Sequence, residues 1–176
     1  KKFKNISIIL FLFYAVIFGF RDKYVGLDTL SYYNYALDIT REYSGLFYII
    51  KFISFGEPTL FLLIINIIIC ILIVLIAKEL KVNIYLYLAL IVSSFFFYNF
   101  NINIIRQAVC IAFCTYIYLV FSKRYYLRSF LLLFCFYIHN TGIIFFLVSL
   151  LKIEFTRYRM ILIIILFLIM YAINPT

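Results

Sequence analysis

The stretch LFLLIINIIICILIVLIA, residues 60–77, decides the fold class. Its eighteen residues contain one strongly polar side chain, Asn66. A helix of that length covers about 27 Å at 1.5 Å per residue, close to the apolar thickness of a bilayer. Lys78-Glu79-Leu80-Lys81 closes the run, and similar runs lie on either side of it. Together they predict an all-α, polytopic integral membrane protein with about five or six transmembrane helices. The spans fall near 6–24, 60–77, 84–100, 104–121, 130–151 and 160–173, in a single membrane domain over 1–176.

Composition agrees. Of 176 residues, 68% are hydrophobic and 13% charged, against roughly 45–50% and a quarter in soluble domains. One small core cannot bury that excess, because a domain this size has too much surface. An ordinary soluble enzyme, a disordered tail and a disulfide scaffold are therefore excluded. The length is short for an integral membrane enzyme. The chain begins at Lys1 and stops at Asn174-Pro175-Thr176 just after an apolar run, so the expectation is the front portion of a larger protein. Twenty-two Phe and no Trp fit an A+T-rich coding sequence and a bacterial source. Lys1-Lys2-Phe3-Lys4 before the first run resembles a signal peptide. No small-residue cleavage site follows, which favours an uncleaved first span.

The net charge of +9 comes from short basic clusters between apolar runs. That is the mark of cytoplasmic loops, and no basic run is long enough to suggest nucleic acid. With the N-terminus cytoplasmic, the inner side holds Lys1, Lys2, Lys4, Lys78, Lys81, Lys123, Arg124 and Arg128. The polar stretch 21–59 then faces outward and carries five of the seven acidic residues, Asp22, Asp28, Asp38, Glu42 and Glu57. Inside it, residues 46–55 form an apolar patch too short to span, which predicts an interfacial helix. Residues 130–151 admit two readings. A single span gives eight basic residues on each side; a hairpin turning at His139-Asn140-Thr141-Gly142 gives eleven inside and five outside. The charge rule favours the hairpin, whereas its short arms favour one helix broken near His139. Cys70, Cys110, Cys114 and Cys135 all lie in apolar runs without a CxxC pair, and read as inert buried thiols.

Four polar features remain. Gly26 permits a sharp turn, and Asp28 with Thr29 could cap a helix there; Asp28 beside Tyr32 and Tyr33 also suits a general base or sugar contact. Arg41 and Glu42 read equally as surface charges. Arg106 and Gln107 open a helix behind Asn101 and Asn103. Arg106 could snorkel to headgroups, or join free amide N–H groups as an anion site. His139, the one histidine, sits where ionisable groups are costly and usually functional, although a lone histidine also serves as an interhelical hydrogen-bond partner. The sequence has no HExxH, DxD, Walker loop or GxSxG, so no metal site and no cofactor are expected.

In chain order these features read Arg-x(4)-Gly-x-Asp-x(3)-Tyr-Tyr at Arg21 to Tyr33, Glu-x-x-Gly-Leu-Phe at Glu42 to Phe47, Asn-x-Ile-Arg-Gln at Asn103 to Gln107, and Tyr-x-His-Asn-Thr-Gly at Tyr137 to Gly142. This order resembles the EpsG-type family of polysaccharide polymerases, Wzy-like proteins of the bacterial cytoplasmic membrane. Family members are longer, and more often carry Gly-Thr-Asp where this chain has Gly-Leu-Asp. The resemblance implies polymerisation of undecaprenyl-diphosphate-linked oligosaccharide repeat units into exopolysaccharide, capsule or O-antigen, alongside other polysaccharide assembly proteins. A sugar hydroxyl attacks an anomeric carbon and undecaprenyl diphosphate leaves. That needs a base and cations but no nucleotide. It implies Asp28, Glu42 and His139 as catalytic residues, and Arg21, Arg41, Arg106, Gln107, Tyr32 and Tyr33 as substrate-binding residues. A flippase or transporter for the same lipid-linked oligosaccharide would use the same surfaces but should carry internal repeats, which this sequence lacks. A purely structural subunit would leave Asp28 and Arg106 incidental.

Overall fold

The computed structural model describes residues 2–39 and 45–150; among these all regular structure is helical. The central element is α4 (Pro58–Glu79). Proline presets the backbone angle of its first turn, and the unbroken Ile/Leu run carries the helix on. Lys81 ends it with a left-handed backbone, φ 55°. Asn66, buried inside α4, turns its amide back onto the Leu62 carbonyl at 2.8 Å.

Helix α1 (Lys2–Gly19) runs antiparallel to α4, with Phe11, Ala15 and Phe18 against Cys70, Val74 and Ala77. It stops before Arg21, which reaches back to the carbonyl of Phe18 at 2.7 Å and so ends the helix with a cation. Two short helices follow, α2 (Thr29–Ala36) and α3 (Leu46–Ile53). The second is a helix where the apolar patch 46–55 predicted one. Tyr32, Tyr35, Phe47 and Ile50 from these two helices meet Phe61, Leu62, Ile65 and Ile69 of α4 and Ile105, Ala108 and Val109 of a later helix, α7 (Ile105–Val120). The segment between α1 and α4 is thereby built into the bundle.

The run 84–100 forms two helices, α5 (Ile84–Ser93) and α6 (Phe95–Ile102), bent by 69°. Asn83 caps α5 at the amides of Tyr85 and Leu86. At the bend Ser94 is extended, and its hydroxyl takes the Phe96 amide at 3.2 Å. A serine side chain thus replaces the helical bond that would have carried the run straight on. Helix α7 (Ile105–Val120) returns alongside α4 and matches the expected 104–121 closely.

Residues 125–150 form a hairpin. Helix α8 (Tyr125–Phe134) passes through a 3-10 turn at Cys135–Tyr137, and α9 (Gly142–Leu150) comes back against it. Arg128, 1% exposed, donates from Nε to Ser149 Oγ at 2.9 Å and from Nη2 to the Ser149 carbonyl, while Nη1 reaches the Ser122 carbonyl. Its guanidinium lies 4.4 Å from the ring centre of Tyr118 and 5.1 Å from that of Tyr125. Bonds from the first half of α8 to the end of α9 establish the antiparallel course, so the hairpin reading of 130–151 holds, not the single helix. Among the described residues one helix, Pro58–Glu79, is long and apolar enough to cross a membrane, or two segments if the bent pair counts as one. Ile6–Gly19, Ile105–Val120 and Tyr125–Tyr137 are shorter apolar helices. The run at 160–173 lies outside the described residues.

Gly142 sets the hairpin tip. A Cβ there would lie 2.7 Å from both the Cys135 carbonyl carbon and the Phe136 nitrogen, and backbone cannot yield as a side chain can. Gly142→Ala should cost about 1–3 kcal/mol through overpacking. Its signature is faster maleimide labelling of the buried Cys135 in detergent; unchanged labelling would contradict the tight tip.

Candidate functional site

The site is assembled where α1, α2, α6 and α7 meet. Arg21 lies at its base, 8% exposed. Its Nε donates to Thr29 Oγ1 at 2.9 Å and its Nη1 to the carbonyls of Phe18 and Asn101 at 2.7 and 2.8 Å. Nη2 is buried with no hydrogen-bond partner among the described residues. Among the described residues no carboxylate bonds to it. Burial lowers the guanidinium to about 10, so it remains a cation at neutral pH. Arg21, expected to touch substrate, is therefore placed inside the scaffold, where it ties three chain segments together.

The turn after it is fastened to α6. Gly26 has φ 91°, and a Cβ there would lie 2.4 Å from Ile102 Cγ2 and 2.9 Å from the Ile102 carbonyl oxygen. Both the backbone angle and the close approach call for glycine. The Leu27 amide donates to Asn103 Oδ1 at 3.0 Å, and Asn103 is steadied by Asn99 at 2.8 Å. The Thr29 hydroxyl, fully buried, donates to the Val25 carbonyl. Asp28 stands between these two anchors, half-buried. It occupies the N-cap position of α2, but its side chain makes no cap bond. The expected cap is thus present in place and absent in chemistry, which leaves the carboxylate free for other work.

Tyr32 and Tyr33 do different jobs. Tyr32 is buried, and its phenol accepts the backbone N–H of Arg106 at 3.2 Å. Helix α7 lacks a side-chain cap of its own at Ile104; a tyrosine from another helix supplies an acceptor instead. Tyr33 donates to the Arg21 carbonyl at 3.1 Å. Burial, with Asp22 and Glu57 nearby, pushes its phenol above the usual tyrosine value, so it acts as a neutral donor. Arg106 and Gln107 are half-buried in the first turn of α7.

The hairpin tip closes the fourth side. His139 Nδ1 lies 3.2 Å from both the amide and the hydroxyl of Thr141, an arrangement that fixes the ring within its own turn. Cys110, one turn along α7 from Arg106, directs its thiol at the His139 carbonyl, 3.6 Å away. Arg106 is near enough to act electrostatically on His139. Arg41 and Glu42 lie outside the described residues. Gly45, just after them, abuts Tyr137, with 3.4 Å from its Cβ position to that carbonyl.

The structure therefore brings Arg21, Asp28, Tyr32, Tyr33, Arg106, Gln107 and His139 to one end of the bundle. Sequence reasoning missed Thr29 as the acceptor of Arg21 and Asn101 as its carbonyl partner. It also counted Arg128 among loop charges, although the tyrosines at 118 and 125 and the serines at 129 and 149 hint at a buried partner set. No group of histidine, cysteine and carboxylate that could hold a metal occurs among the described residues.

Arg21→Ala should remove about 3 kcal/mol or more, because three buried acceptors lose a charged donor at once. Arg21→Lys should recover little, since an ammonium on a different stem lacks the guanidinium fork. The check is the temperature at which the purified protein loses monodispersity in detergent; a lysine variant as stable as the parent would refute the clamp.

The EpsG family model matches residues 4–175, nearly the whole chain. No curated protein and no solved structure matches it.

Proposed function

The chain belongs to the EpsG family, and from that premise we propose that it is a membrane glycosyl-transfer enzyme. It joins undecaprenyl-diphosphate-linked oligosaccharide repeat units into a longer polysaccharide. The supporting observation is the hydrogen bond from the Arg106 amide to Tyr32. It couples the Gly-x-Asp motif to the Arg-Gln motif at one helix start, with His139 within electrostatic reach.

The acceptor hydroxyl attacks the anomeric carbon of the donor sugar. A carbon–oxygen bond forms, the bond from that carbon to the diphosphate oxygen breaks, and the hydroxyl proton passes to a base. Asp28 is the base proposed here: an acceptor-only carboxylate at the outer end of the bundle. Glu42 is the second candidate. Undecaprenyl diphosphate leaves as an anion, and the cation to receive it is Arg106, with the amide ends of α7 adding partial positive charge. His139 contacts the diphosphate or shares the proton. Arg41 assists the cation, and Gln107 with Tyr33 lines the sugar path. Arg21 and Tyr32 act through position: one holds the Asp28 turn, the other holds the start of α7. The apolar helices suit a substrate that enters from the bilayer, with the reaction on the external face of the cytoplasmic membrane.

In a strain lacking its own copy, Arg106→Ala should lower polymer by about 100-fold, the loss typical of one removed charge-stabilising donor. Asp28→Asn should do the same at unchanged protein level. Single repeat units should still reach the cell surface. Repeat units trapped on the inner leaflet would point instead to a flippase, and normal polymer from both variants to a structural subunit.

A further inference from the structure

The hairpin tip fixes which nitrogen of His139 carries the ring hydrogen. Nδ1 lies 3.2 Å from the backbone nitrogen of Thr141, whose N–H donates to it. A backbone N–H can only donate, so Nδ1 must offer its lone pair. In a neutral imidazole the hydrogen then sits on Nε2. Moving it to Nδ1 would set two hydrogens against each other and break that bond. The Thr141 hydroxyl, 3.2 Å from the same nitrogen, fits this assignment as a second donor.

The backbone that carries the ring is held as firmly. The His139 N–H donates to the Cys135 carbonyl at 3.2 Å. Its own carbonyl accepts the Gly142 N–H at 2.9 Å and lies 3.6 Å from the Cys110 thiol. A Cβ at Gly142 would crowd the Cys135–Phe136 backbone, so glycine lets the tip close this tightly. With Nδ1 turned into the tip, Nε2 lies on the other edge of the ring and points away from Thr141. Among the described residues nothing bonds to Nε2, and His139 is half-buried. A preset hydrogen-bond donor therefore stands at the end of the bundle where Arg106 occupies the first turn of α7. Arg106 acts electrostatically on the ring. Charging the ring would add a second cation beside that guanidinium and also cost the Thr141 bond, which keeps the imidazole neutral.

We propose that His139 serves the reaction as a neutral Nε2–H donor to the diphosphate, and not as the base that takes the acceptor proton. This rests on the polysaccharide reading above and chooses between the two roles left to the histidine there. A base needs a free lone pair, and the one lone pair of the neutral ring is engaged by Thr141. A neutral donor beside a guanidinium suits an anionic oxygen, because it adds a hydrogen bond without setting two cations against each other. The proton then passes to a carboxylate, with Asp28 the first candidate. Thr141 is a positioning residue, acting through the ring it orients.

The test produces the full chain with isotope-labelled histidine and no histidine tag, and follows the imidazole nitrogens by NMR in nanodiscs. The sequence holds one histidine, and His139→Gln identifies its signals by their loss. Nε2 should give the signal of a protonated ring nitrogen, and Nδ1 that of a bare, hydrogen-bonded one. Inorganic pyrophosphate, used as the probe, should shift the Nε2 signal in the parent. In Arg106→Ala about tenfold more of it should be needed. In a strain lacking its own copy, His139→Ala should lower polymer about 100-fold. His139→Gln keeps an N–H donor but supplies no base, and should stay within about tenfold of the parent. A hydrogen on Nδ1, or one shared between the two nitrogens, would overturn the assignment. A glutamine variant as defective as the alanine one, at equal protein level, would overturn the donor role. A protonated Nε2 that pyrophosphate leaves unmoved would overturn the contact. Polymer made normally by both Arg106→Ala and Asp28→Asn would instead sink the polymerase reading and leave the position of the ring hydrogen standing on its own.

Discussion

The guanidinium of Arg21 is the fixed point from which one end of the bundle is built. A buried cation must find hydrogen-bond acceptors or it opposes folding. Here the acceptors come from the end of α1, the start of α2 and the end of α6. None of the three can leave without stranding the charge. The loop between the first and second long helices, which composition alone would class as a loose external segment, is thereby locked to the 99–103 turn. Asp28 and Tyr32 inherit their positions from that lock, and Tyr32 in turn holds the first amide turn of α7.

A second buried arginine does comparable work at the other end. Arg128 joins α8 to α9 through Ser149 and faces two tyrosine rings from α7 and α8. Its hydroxyl and carbonyl partners are neutral, as with Arg21. Between lipid-facing helices there is little hydrophobic drive to associate, because lipid tails are as apolar as leucine. Directional bonds from a multi-donor side chain then carry much of the specificity. The hairpin tip, and with it His139, is held near Arg106 by a clamp well down the same two helices.

Much of this was legible from residue order, and the reasons for the misses are physical. The run 60–77 announced a long helix because nothing in it competes with helix formation. The run 84–100 looked the same, yet Ser93-Ser94 in its middle supplies a hydroxyl cap and a bend of 69°; hydropathy averages over such a pair. Charge counting favoured the hairpin at 139–142 without fixing it, because a glycine's need for room depends on what lies opposite, and Cys135-Phe136 is known only in three dimensions. For Arg21 the location was legible and the bonding partners were not: an arginine at a helix end can fold back onto its own helix, whereas Asn101, eighty residues on, is known as a partner only in three dimensions. Asp28 reads as a cap by its neighbours, but Thr29 takes the local bonds instead.

The distribution of chemistry along α2 bears on how such a site would handle its substrate. At its start lie Asp28 and the buried cation Arg21, and Tyr32 within it holds the first turn of α7, which carries Arg106. Past its end lies Asp38, paired with Lys51 of α3. A lipid-linked glycan has the complementary polarity: an anionic diphosphate at one end and a neutral polyol at the other. Among the described residues the charge of Arg21 is met by neutral acceptors. Negative charge collecting on a diphosphate that departs beside Arg106 would be met by that guanidinium and by the amide end of α7 together. An arrangement of that kind would favour the transition state over the bound ground state, which is the condition for speeding a bond exchange and not merely holding its reactants.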